Sequence, residues 1–180
     1  SIRNSGTYLI YPDKERMISY LASLDTDLKY LQANKALEQG FLSRIMKKLD
    51  EYHSFLLGYN SQFTQQQKIK YGHLFNKENL SFDEEQKDAV VTDEKYNLVV
   101  AGAGSGKTEV LITRIAYLIQ RNPASIPPQR ILGIAYQRKA KEEIERRLHD
   151  RYGISKVNVS TFHKLGKDIL EKTDNKFRHI

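Results

Sequence analysis

The stretch VVAGAGSGKTEVLITRI, Val99–Ile115, sets three glycines with Ser105, Lys107 and Thr108 between a β-branched run and a largely apolar segment. Within it, Ala101-Gly102-Ala103-Gly104-Ser105-Gly106-Lys107-Thr108 fits the Gly-rich phosphate-loop pattern, with alanine at the first glycine position. In that pattern successive backbone N–H groups curl around a β-phosphate. The lysine, here Lys107, places its charge on the β and γ oxygens, and the hydroxyl of Thr108 can ligate Mg²⁺. Glycine is needed where a Cβ would obstruct a positive φ or the approach of a phosphate. The pattern demands a strand before the loop and a helix after it. NLVVA, residues 97–101, is expected as a buried strand and Gly106–Gln120 as the helix, so ATP with Mg²⁺ is the expected ligand.

Downstream, strands and helices alternate. The loop RNPASIPPQR holds three of the four prolines and leads into ILGIAY, expected as a second strand. RKAKEEIERRLHDRY is expected as a charged helix, VNVS as a third strand and FHKLGKDILEK as a last helix. Such alternation implies an α/β fold: a parallel sheet with helices on its faces.

Upstream the period is helical. Met17, Leu21, Leu24, Leu28 and Leu31 form one apolar seam on a helix expected to start at Asp13 as N-cap. Leu42, Ile45, Leu49, Tyr52, Leu56 and Tyr59 form a second, with a turn around Asn34 between them. An antiparallel helical hairpin follows, either as a protruding arm or as two core-facing helices. The pattern weakens after Gly58, which places the boundary between a helical region 1–75 and an α/β region 76–180. Ser81 and Glu84 fit a capping box that opens a short helix through Val91.

The chain has 180 residues, a net charge of +7 and a sequence pI near 9.4, which permits a polyanionic partner without requiring one. It contains no cysteine, so disulfides and thiolate metal sites are excluded, and a reducing compartment, the cytoplasm, is expected. Its five histidines form no HxxxH or HExxH pair. No apolar run approaches the length of a membrane span.

Three stretches add a family resemblance. FDEEQKDAV, upstream of the loop, resembles the Q motif of UvrD/Rep-type superfamily 1 DNA helicases, which implies that Gln86 holds the adenine edge through its donor and acceptor pair. The alternative is a solvated glutamine on an amphipathic helix. ILGIAYQRKAKEEI resembles motif Ia, which implies that Tyr136 packs on a base or sugar of single-stranded DNA while Gln137, Arg138 and Lys139 face its backbone. Otherwise Tyr136 is a core aromatic and the charges form a solvated helix face. VSTFHKLGKDIL resembles motif Ib, which implies DNA contacts from Thr161, Phe162 and His163; Thr161 can also cap the last helix, with Phe162 in the core.

The resemblance covers residues 80–172 and is nearest to the helicase IV branch; it implies a partial RecA-like domain preceded by the helical hairpin. Glu109 departs from many relatives, which carry arginine there. Phosphate-loop hydrolysis also needs carboxylates for Mg²⁺ and water, normally on an apolar strand ending in Asp-Glu. No such segment lies between Thr108 and Ile180, so the chain resembles the front part of a motor and is expected to have little ATPase activity by itself. A rival reading is an ATP-driven remodeller of RNA polymerase that uses the hairpin as a protein-binding arm, with other repair or transcription proteins as possible partners. A more distant one is a phosphate-loop kinase or switch.

Overall fold

The computed structural model describes residues 7–77 and 80–177, the last four by backbone alone. The outer limits expected for the two regions, residues 1 and 180, lie outside the described residues. The chain is mostly helical with a small parallel sheet of two strands, and it divides into two compact units, residues 1–72 with 91–98 and residues 73–90 with 99–180.

The first unit is built on two antiparallel helices, α1 (Tyr11–Ala33) and α2 (Gln39–Lys70). The expected α1 seam is the half-buried one, and Asn34 closes the helix by donating Nδ2–H to the Tyr30 carbonyl at 2.8 Å. Asp13, expected as N-cap, lies instead inside the first turn beside Pro12. The N–H of Tyr11 is satisfied from far along the chain, by a Glu94 carboxylate oxygen at 2.9 Å. The weakening of the pattern after Gly58 does not end α2, because Tyr59, Phe63 and Lys68 continue its buried stripe, and the helix runs to Lys70. One glycine costs a helix only about 1 kcal/mol, less than such burial returns. Tyr52, expected in the seam, is 49% exposed, and Phe55 packs against the core of Leu9, Leu56 and Tyr59. Asn60 locks the entering chain by accepting from the Leu9 N–H at 3.2 Å and donating to the Leu9 carbonyl at 2.8 Å.

The second unit holds α3 (Glu84–Val91, whose last residue falls in the first unit), α4 (Lys107–Gln120), β1 (Leu132–Ala135), α5 (Arg138–Tyr152), β2 (Asn158–Thr161) and α6 (Phe162–Phe177). The strands pair in parallel, Leu132 opposite Asn158 through Ala135 opposite Thr161, with α5 as the crossover. Ile112 and Ile115 from α4, Ala135 from β1, Ile144 and Leu148 from α5 and Val159 from β2 form its core. Gly153 ends α5 at φ +63°, as the left-handed cap that glycine favours. Below the core, Tyr152 donates to the Leu74 carbonyl at 3.2 Å and shares a 2.9 Å hydrogen bond with the fully buried Thr113.

The expected strand 97–101 does not form. Leu98 and Val100 are 88% and 86% exposed, and among the described residues no strand lies beside them. A β-branched run becomes a strand only when a neighbour accepts its ladder hydrogen bonds, which local sequence cannot supply. Ser81 and Glu84 likewise form no capping box. The reciprocal pair is Asp83 and Gln86, further along the chain: Gln86 N–H donates to Asp83 Oδ1 at 2.7 Å and Asp83 N–H donates to Gln86 Oε1 at 3.0 Å.

Candidate nucleotide loop and nucleic-acid groove

The segment 101–105 is exposed and irregular, and it enters α4 through Gly106. Gly104 and Gly106 both have φ near +77°, a conformation that side chains disfavour. The first backbone bond of α4 runs from Val110 N–H to the Gly106 carbonyl at 3.0 Å. The N–H groups of Lys107, Thr108 and Glu109 therefore have no partner within the helix and face its positive end, an arrangement suited to an anion. Lys107 bends back over the loop, donating to the Ala101 carbonyl at 2.8 Å and to that of Gly102. Ser105 donates its hydroxyl to the same Gly102 carbonyl at 2.8 Å.

Gln86 reaches this loop from α3. Its Nε2–H donates to the Ser105 carbonyl at 3.0 Å while its Oε1 is held by Asp83. Arg114 of α4 fastens the end of α3 by donating to the Val90 carbonyl at 2.9 Å, a cation where the helix dipole favours one. The structure thus joins Gln86 to the glycine loop, twenty residues on. Among the described residues, these bonds leave one amide hydrogen of Gln86 and the second lone pair of Oε1 to spare.

Thr108 is exposed at the second position of α4, beside the open loop. Among the described residues no three His, Asp or Glu side chains gather to hold a metal ion. The Thr108 hydroxyl is a hard oxygen donor of the kind that Mg²⁺ accepts beside phosphate oxygens.

Glu109, next along α4, is ion-paired with two arginines of α5: Arg147 on Oε1 and Arg151 on Oε2. Arg147 is also braced by Glu143, one turn earlier on its own helix. The Glu143 carboxyl is held below its ordinary pKa, chiefly by hydrogen bonds from Arg146 and Arg147.

A cleft of about 550 Å³ opens where the carboxyl ends of β1 and β2 meet α5 and α6. Tyr136, 80% exposed just past β1, and Thr161, at the end of β2, line it. Arg138 and Lys141 enter from α5, and His163, Lys164 and Lys167 from α6, beside the acid Glu142; Lys141 is also paired with Glu145 at 3.1 Å and Lys167 with Glu171 at 3.5 Å. Four lysine and arginine side chains around one exposed aromatic make a basic groove with a stacking platform. Gln137 and Lys139 are exposed but do not line the cleft. Phe162 is 62% exposed, so it is no core residue. Thr161 does cap α6, accepting from Lys164 N–H at 3.4 Å, a long bond. The motif resemblance does not single out Lys141, Lys164 or Lys167, although Lys141 lies three residues past Arg138 and Lys167 three past Lys164, each pair on one helix face.

Residues 82–179 match the family model described as the UvrD/REP helicase N-terminal domain. The chain belongs to that family. It is 36% identical over 129 residues to the DNA helicase IV of Escherichia coli strain K12, covering 71% of this chain and 19% of that protein. It is 41% identical over 90 residues to a DNA helicase II of Rickettsia typhi, covering 50% and 13%. It is 39% identical over 99 residues to the ATP-dependent DNA helicase Rep of Buchnera aphidicola subsp. Schizaphis graminum, covering 53% and 15%. The chain thus spans less than a fifth of the length of these relatives. The match to the helicase IV is too long to lie within 82–179 alone, so it reaches upstream of Phe82. Among the described residues, no helix is long and apolar enough to cross a membrane.

Proposed function

We propose that this chain is the ATP-binding part, RecA-like in its second unit, of an ATP-dependent helicase that moves along single-stranded DNA in the cytoplasm. The observation that carries the reading is the open glycine loop with Lys107 and Gln86 joined to it, in the same compact unit as a basic cleft lined by Tyr136 and His163. In this reading Ala101–Thr108 cradle the phosphates, Lys107 leaves its loop carbonyls for the β and γ oxygens, and Gln86 orients the adenine with its remaining donor and acceptor. Mg²⁺, when bound, supplies charge neutralisation on those oxygens, and Thr108 is the residue that would hold it.

Single-stranded DNA lies in the cleft, a base stacked on Tyr136 and its phosphates facing Arg138, Thr161, His163, Lys164 and Lys167. Gln137, Lys139 and Phe162 meet the strand outside the cleft. Stacking on an aromatic contributes about 1 to 3 kcal/mol per base without sequence preference, which suits a translocating enzyme. The relatives are named DNA helicases, so the polymerase-remodelling alternative has no observation in its favour.

Titration of the chain with a fluorescent ATP analogue and with a labelled oligothymidylate tests the reading. Saturable binding of both is expected, with Lys107→Ala weakening the nucleotide alone at least about tenfold, which is roughly 1.4 kcal/mol. Absence of nucleotide binding at millimolar Mg²⁺ overturns it. Turnover by the chain is expected to be slight, since no carboxylate-ended strand follows Thr108 in this sequence.

A further inference from the structure

Glu109 puts a negative charge where the loop is built to receive one from outside. It is the third residue of α4. At about 1.5 Å of rise per residue it lies only some 3 Å along the axis from Lys107, well inside the Debye length of about 8 Å at physiological salt. A bare carboxylate there would oppose every phosphate brought to the N–H groups of Lys107 and Thr108.

The carboxylate is not bare. Each oxygen is taken by a different guanidinium, and the two arginines stand four apart on α5, so one helix face presents both. The three side chains are largely withdrawn from water, Glu109 at 20% exposure and the arginines at 26% and 31%. Screening by salt is weak in such a place, and removing one side of the pair leaves an uncompensated charge. Counted together with Glu143, which also holds Arg147, the two acids and the two arginines balance, so Glu109 is neutralised within its cluster.

We propose that Arg147 and Arg151 belong to the nucleotide site as positioning residues: by holding both oxygens of Glu109 they mask an acid two residues past Lys107 on α4 and permit a triphosphate to bind. The proposal rests on the reading of the loop as a nucleotide site. No phosphate contact is assigned to either arginine; they act through Glu109. Because the masked interaction is between charges, its loss discriminates among ligands by their charge, ATP suffering more than ADP and ADP more than AMP. A clamp that merely held α4 against α5 would weaken all three alike.

The test compares the 180-residue chain with Arg147→Ala/Arg151→Ala, Glu109→Gln, and the triple variant joining them. Binding of fluorescent ATP, ADP and AMP analogues is read with Mg²⁺ present, and far-ultraviolet circular dichroism and melting confirm the fold. The double variant is expected to lose about tenfold or more in ATP affinity and a smaller factor for ADP. Glu109→Gln alone should stay within about threefold of wild type, and the triple variant should recover to that level. Unchanged affinity in the folded double variant, an equal loss for all three nucleotides, or no recovery in a folded triple variant overturns the mask. If the double variant does not fold, the mask is tested with Arg147→Lys and Arg151→Lys, which keep the charge and should bind ATP near wild-type level; a loss there equal for ATP and AMP overturns it. Failure of the wild-type chain to bind any nucleotide removes the underlying reading and the mask with it.

Discussion

Gln86 donates Nε2–H to the Ser105 carbonyl at 3.0 Å, and the same nitrogen lies 3.2 Å from the point where a Cβ on Gly106 would stand. One side chain from α3 thus both braces the glycine loop and closes the space beside it.

Gly106→Ala is therefore expected to fail twice, through the positive φ and through the contact with Gln86. The left-handed conformation alone costs about 1 to 2 kcal/mol. Nucleotide affinity should fall at least tenfold, roughly 1.4 kcal/mol, with a lowered melting temperature. If a nucleotide titration shows wild-type affinity, the loop geometry does not govern binding.

The groove should answer to salt. Each phosphate neutralised on a single strand contributes about 0.7 to the slope of log affinity against log salt. Lys164→Ala/Lys167→Ala is expected to lower that slope by about 1.4 for an oligothymidylate, leaving nucleotide binding unchanged. Tyr136→Ala should instead weaken binding by about 1 to 3 kcal/mol with little change of slope. Anisotropy titrations at several salt concentrations separate the two, and equal slopes for wild type and the double lysine variant would count against the groove.

In the helical unit, burial first and the neighbouring Glu94 second raise the Tyr8 hydroxyl to a pKa of about 12 from its ordinary 10.0. The folded state thus holds this proton more tightly than the unfolded chain. The stability so contributed is complete below pH 10 and is lost as pH rises toward 12. Urea unfolding followed by circular dichroism should show a decline across that window that is shallower in Tyr8→Phe. Parallel declines would show that Tyr8 is not its source.

Asn60→Ala would strip the Leu9 backbone of both its N–H and its carbonyl partner. Leaving part-buried backbone groups unpaired costs about 1 to 3 kcal/mol per group. Denaturant midpoints should fall accordingly, whereas oligothymidylate affinity should not move. A midpoint within error of wild type would mean that water replaces both bonds.

The two leucine seams, the glycine loop with its helix, and the alternation of α5 between β1 and β2 were all readable from spacing alone. Each is local: the period of an apolar stripe or a run of glycines is set by neighbours within a turn or two. The candidate residues at the carboxyl ends of β1 and β2 came instead from the family resemblance of the stretches that carry them. Tyr136 and Thr161 close their strands in sequence as well as in space.

What spacing could not supply was every partner reached across the fold. The α1 N-terminus is capped by Glu94, 83 residues away, although Asp13 offers a local acid. The capping box shifted to Asp83 and Gln86, and that shift also places the glutamine amide against the loop. Residues 97–101 carry strand composition but have no ladder partner among the described residues, so they stay exposed. Lysines of two helices converge on one cleft, and an acid two residues past Lys107 meets arginines some forty residues on. Sequence determined the helices, the two paired strands and the glycines of the loop, because these arise from short-range sterics and periodicity. Tertiary structure alone decided which charges and amides meet, because hydrogen bonds and ion pairs depend on distance in space, not on separation along the chain.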